Sequence, residues 1–121
     1  AALAAVIRSD EAMAQISSAC HEMGVAGTLA QRTRADRQFH QAILNATRNE
    51  LLMPLGAIID SSLDYLFTFV TREANDLRHA QDLHEAIERS IRQKKPDAAR
   101  KAVKALLHNT DIILKRKGLA D

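Results

Sequence analysis

The sequence predicts an all-α fold, an antiparallel bundle of about six helices. Apolar residues recur three and four positions apart along most of the chain, the mark of helices with one buried face. Only four Gly and two Pro occur in 121 residues, too few turn residues for a sandwich or barrel with many hairpins. No stretch alternates apolar and polar residues over a convincing strand length.

The elements follow in order. A short helical piece runs from the start to about Arg8. Ser9 is a good N-cap for a second helix from Asp10 to about Met23, because its hydroxyl accepts from an orphan backbone N–H and Asp10 and Glu11 suit the positive end. Gly24 and Gly27 are expected to end that helix. A third helix from about Thr28 to Ala46 turns Ala35, Phe39, Ala42, Ile43 and Ala46 inward, and Asn49 marks the next break. Pro54 belongs near the start of a fourth helix, since Pro deep in a helix costs about 3 kcal/mol. That helix reaches roughly Arg72, with Leu55, Ile58, Ile59, Leu63, Leu66, Phe67 and Val70 as apolar contacts. Asn75 and Asp76 cap a fifth helix ending near Lys94. Pro96 sits where a first helical turn accepts it, and a sixth helix runs to about Lys117 with Gly118 as its stop.

Composition excludes several function classes. With 17 basic and 15 acidic residues the net charge is +2, too slight for a surface whose main work is gripping phosphates. Cys20 is the single cysteine, so no internal disulfide forms, which fits a reducing cytoplasm. The longest apolar stretch, Leu51 to Ile59, contains Pro54 and Gly56 and falls far short of the roughly 20 residues that span a bilayer. The start has neither a basic leader nor a signal peptide's apolar region, and it reads as the middle of a helix. The chain is therefore expected to be a single domain cut from a longer protein.

Polar residues on an apolar face carry the functional signal. Asp36 and His40 are four apart and stack on one face of the third helix, together with Ile43, Leu44 and Thr47. A buried carboxylate needs compensation: a neighbouring cation, a hydrogen-bonding partner, or a metal ion shared with the imidazole. His84 falls on the stripe of Leu77, Ala80, Ile87 and Ile91. Either it donates to a backbone carbonyl as a core histidine, or it joins Asp36 and His40 as one carboxylate and two imidazoles around a metal. Such a set suits Zn, Ni, Mn or Fe(II) and leaves coordination positions open. The other histidines read as solvated: His108 lies with Lys101, Lys104 and Lys115, His79 is turned roughly 140° from His84, and His21 sits near a helix end.

Catalytic templates are missing. There is no Glu-x-x-His of the di-iron bundles, no second His at zincin spacing, no glycine-rich phosphate loop and no Gly-x-Ser-x-Gly. Cys20 and His21 are adjacent, so they do not face each other on a helix. No catalytic residue is assigned.

The run Asp36-Arg37-Gln38-Phe39-His40-Gln41-Ala42-Ile43, followed by Asn49-Glu50-Leu51-Leu52, resembles the D-x-x-F-H-x-x-I…N-x-L-L segment of the FCD domain. FCD domains are the C-terminal effector-binding domains of the fatty-acid-regulator subfamily of GntR-family bacterial transcription regulators. Leu83-His84-Glu85-Ala86-Ile87 resembles the H-x-x-I element, and Pro96 to Val103 resembles the start of the final helix. The similarity runs from Leu3-Ala4-Ala5 to about Leu107. It implies a helical bundle that binds a divalent metal ion and a small carboxylate or sugar acid, without enzymatic activity. It also implies an N-terminal winged helix-turn-helix, missing from this chain, through which a homodimer binds operator DNA. By motif position the implied metal ligands are Asp36, His40 and His84, with Zn, Ni or Mn as the ion. Many relatives carry a further His where this chain has Leu106, and His108 is turned roughly 200° away, so three protein ligands are expected. Val70-Thr71-Arg72 and Leu83-His84-Glu85-Ala86 look most similar to the branch sensing sugar acids such as galactonate. Arg72, at the end of the fourth helix, reads either as an exposed terminal arginine or as a second positive partner for the effector. Two other readings stand beside the sensor: a helical dimerisation module whose interior polar residues bond one another, and a metalloenzyme using the open site to activate water, for which no general base is apparent.

Overall fold

The computed structural model describes residues 1–69 and 74–118. It contains six α-helices and, among the described residues, no strand, packed as a helical bundle as the periodicity predicts. The helices are α1 (Ala2–Ile7), α2 (Asp10–Val25), α3 (Leu29–Ala46), α4 (Leu55–Phe69), α5 (Ala74–Arg92) and α6 (Pro96–Arg116), with a 3-10 turn at Glu50–Leu52.

Local chemistry sets most of these boundaries. The Ser9 hydroxyl accepts from the Ala12 N–H at 3.1 Å, starting α2. Thr28 does the same for Gln31 at 3.1 Å, so it is the cap of α3 and not its first residue. Asn49 accepts from Leu51 at 3.0 Å and opens the 3-10 turn. Pro96 occupies the first turn of α6, where its missing N–H leaves no bond unmade. Gly118 takes the left-handed conformation, φ 74°, that halts a helix.

Three expectations need correction. Gly24 does not end α2, which continues to Val25. The glycine serves a close approach instead: a Cβ there would lie 2.9 Å from Gln81 Nε2, whose amide donates to the Cys20 carbonyl. Asn75 and Asp76 lie inside the first turn of α5, since that helix begins at Ala74, and Asp76 pairs with Arg116 of α6. Leu55 and Ile58 are not core contacts, and Ile58 is 62% exposed. The cause is how α4 docks: it rests chiefly on α3, meeting it at Gly56, where a Cβ would fall 2.5 Å from Gln41 Oε1. That contact turns Gly56 and Leu63 inward and Leu55 and Ile58 out. The expected end of this helix at Arg72, with Val70, lies outside the described residues, as do the side chains of Leu66 and Phe67.

The core is built from small and branched aliphatic residues around one aromatic ring. Phe39, Ile16, Met23, Ile87 and Ile91 are its largest fully buried side chains, and alanines such as Ala4, Ala5, Ala35, Ala46 and Ala99 let the helices approach closely. Helix α2 packs on both α3 and α5, and α6 covers α5 and α1. Arg8 fastens the α1–α2 junction to the end of α5, donating to the Arg92 carbonyl at 2.8 Å, where a cation complements the helix dipole. No helix of the described residues is long and apolar enough to cross a membrane.

Candidate metal centre

Because α2 packs against both α3 and α5, it holds the inner faces of those two helices towards each other. Arg32 reinforces the arrangement from one turn before Asp36. Its guanidinium donates to the Met23 carbonyl at the end of α2 and to the Leu77 carbonyl in α5, both at 3.2 Å. The residues that the helical periodicity singles out thus meet, although 44 positions separate His40 from His84 (84 − 40) in the sequence.

The meeting point is a single carboxylate oxygen. Asp36 Oδ1 lies 3.0 Å from His40 Nε2 and 3.3 Å from His84 Nε2. One ligand atom from each residue falls within 4.8 Å of the others, and these are the three side chains among the described residues placed to share a metal ion. Asp36 and His84 are each 3% exposed, whereas the His40 side chain is 23% exposed. The centre is therefore closed on the α5 side and reachable beside His40.

Proton placement sharpens the picture. His84 Nδ1 lies 2.7 Å from the Ala80 carbonyl oxygen, an atom that only accepts, so Nδ1 carries a hydrogen and donates. In the neutral ring this leaves a lone pair on Nε2, 3.3 Å from Asp36 Oδ1. Neither atom has a well-aligned hydrogen-bond partner, and both are buried. Two buried acceptors this close repel unless positive charge lies near both, supplied by a proton or by a metal ion. Burial opposes ionisation of Asp36, but close contact with His40 and His84 and their positive charge outweigh it, holding the carboxyl well below the usual carboxylate range.

The two ring nitrogens of His84 do different things: Nδ1 donates to a backbone carbonyl as in a core histidine, and Nε2 lies 3.3 Å from Asp36 Oδ1, where a ligand atom would be needed. A carbonyl partner of this kind is the usual outer contact of a metal-bound imidazole, fixing its tautomer and angle. The other histidines stay apart, with His21, His79 and His108 exposed as their helix positions predict. Leu106 is buried in the apolar core and offers no ligand atom. Arg72 lies outside the described residues. Two contributors escaped the sequence reading. Arg32 left a usable signal, a cation four residues before Asp36 on the same face. The Ala80 carbonyl left none beyond its position one turn before His84.

The sequence pattern of the FCD domain family matches residues 1–109. The chain belongs to the FCD domain family. As an FCD domain it is of a regulatory, effector-binding kind and fits the effector-binding domain of a GntR-family regulator. No curated protein matches this FCD domain.

Proposed function

We propose that this FCD domain senses a small organic acid through a divalent metal ion held by Asp36, His40 and His84. Zn, Ni and Mn all accept one carboxylate and two imidazoles. The observation that carries the reading is the pair of buried atoms, Asp36 Oδ1 and His84 Nε2, 3.3 Å apart without a hydrogen bond. A bound divalent ion would supply positive charge to both and to an incoming carboxylate. Asp36 contributes the anionic ligand, His84 a ligand pre-oriented by the Ala80 carbonyl, and His40 the ligand on the open side.

Leu106 leaves the set at three protein ligands, so solvent or an effector carboxylate completes the coordination. The effector is a small carboxylate or sugar acid of the galactonate kind, with Arg72 as its second positive contact. Differential binding to two arrangements of the bundle would then change how a homodimer's N-terminal winged helix-turn-helix domains engage operator DNA.

The test is the double variant His40→Ala/His84→Ala, compared with wild type by elemental analysis and by melting with Zn, Ni or Mn and candidate sugar acids. The wild type is expected to hold metal and to gain thermal stability with an acid. The double variant is expected to do neither, and unchanged metal content in it would refute these ligands. A second reading, a metal-free dimerisation module, draws on the same centre, because protonated imidazoles alone can hold Asp36 ionised. It requires a wild type that carries no metal and shows no shift with any acid.

A further inference from the structure

Three aromatic rings meet at the centre, and one of them offers no ligand atom. The Phe39 ring centroid lies 5.4 Å from that of His40, with the planes at 79°, and 5.3 Å from that of His84, at 70°. The two imidazoles stand 5.6 Å apart at 66°. Every pair is edge-to-face, the arrangement that ring quadrupoles favour over a stacked one. Phe39 is 0% exposed and belongs to the buried core cluster, so protein surrounds its ring.

The two imidazoles are not held equally. His84 is anchored through Nδ1 to the Ala80 carbonyl, which fixes its tautomer and limits its rotation. His40 has no such outer partner: among the described residues its polar contact is Asp36 through Nε2. What limits the tilt of the His40 ring is therefore packing. Neighbouring residues on a helix project about 100° apart, so the Phe39 ring lies to one side of the His40 ring and reaches across to His84 on α5.

We propose that Phe39 is a positioning residue for the centre. Wedged against both imidazoles, its ring sets the angle between them, so that the two Nε2 atoms face one carboxylate oxygen before any ion arrives. This rests on the metal-binding reading given above. Groups that orient metal ligands without touching the metal typically account for about 10–100-fold in affinity. A flat, rigid ring in contact with both histidines fills that role for His40, where no hydrogen bond among the described residues does. A mere core filler, in contrast, changes the stability of the fold and leaves the affinity of the folded protein unaltered.

Co2+ titration of the chain, followed by visible absorption, separates these outcomes. Phe39→Leu and Phe39→Met keep an apolar side chain but remove the flat edge, and Met fills the site well enough to keep the test readable where Leu does not fold. Ile16→Val, in the same core but on α2, is the control for a simple packing loss. The wild type is expected to bind Co2+, both Phe39 variants to bind about 10-fold more weakly or worse with altered absorption bands, and Ile16→Val to match the wild type in both. Phe39 variants with wild-type affinity and bands would overturn the positioning role while leaving the metal site standing. An equal loss of affinity in Ile16→Val overturns it too. A wild type that binds no Co2+ overturns the metal reading, and this role with it.

Discussion

Asp36→Asn alters one atom and one charge at the point where three ligand atoms converge, and its effect on metal-dependent stability follows from the geometry. The carboxylate lies about 3 Å from the imidazole nitrogens, so a cation among them sits at similar or shorter range. A divalent ion and a carboxylate about 3 Å apart at an effective dielectric near 20 interact by about 11 kcal/mol. A quarter of that, after desolvation and sharing of the ion's charge with the other ligands, corresponds to about 100-fold in affinity. At a metal concentration of 100 times Kd, the wild type gains about 2.7 kcal/mol. For a chain of 121 residues this amounts to about 10 °C in melting temperature. The same concentration is then only equal to Kd for the Asn variant, which gains about 0.4 kcal/mol, or one to two degrees. Differential scanning fluorimetry in chelator and in metal measures both shifts, and circular dichroism checks that the variant folds. An Asn variant that keeps the full metal-induced shift would show that Asp36 is not a ligand.

Acid stability, the cysteine and a helix cap supply further tests. The shift at Asp36 is downward from an ordinary 3.8, so its ionised form stabilises the metal-free fold above that value and the contribution is lost as pH falls through the lower folded value. In chelator, Asp36→Asn should therefore flatten the fall in melting temperature below about pH 4, and a curve parallel to wild type would contradict the assignment. Burial and the nearby Glu88 and Glu85 push the Cys20 thiol up from 9.0 to about 11, against a weaker opposing bond from Gln81. The unfolded chain ionises first, so stability falls as pH rises from about 9 to 11. Cys20→Ala should remove that slope, and a thiol reagent at pH 8 should label native Cys20 only as fast as the fold opens. Ser9→Ala deletes the hydroxyl that accepts from Ala12 and should cost about 1 kcal/mol in urea unfolding, whereas a midpoint unchanged from wild type would mean that the cap contributes nothing.

The fold was legible because helix signals are local. Ser9, Thr28, Asn49, Pro96 and Gly118 act on backbone groups within four residues, and each does so within a residue of where its chemistry predicts. The two candidate-site residues on α3 were legible for the same reason, since an i, i+4 pair shares a face in any helix. His84 was visible as a polar residue on an apolar stripe, but the stripe is silent about what lies opposite. Gly24 misled because a glycine near a helix end is compatible with two roles, a stop or a close approach, and only the position of Gln81 separates them. Leu55 and Ile58 misled because an apolar periodicity identifies a face without saying how far that face is covered.

By itself, then, the amino-acid order determined the number of helices, most of their ends, and the inward direction of Asp36, His40 and His84. Those properties depend on residues a few positions apart, whose relative geometry the helix repeat already specifies. The tertiary structure alone decided that His84 Nε2 and His40 Nε2 converge on one oxygen of Asp36, that the Ala80 carbonyl orients one imidazole, and that Phe39 touches both rings. Helix rotation and separation are set by packing of whole faces, through contacts such as α2 against α3 and α5, and no local pattern encodes an angle between elements that are distant in the chain.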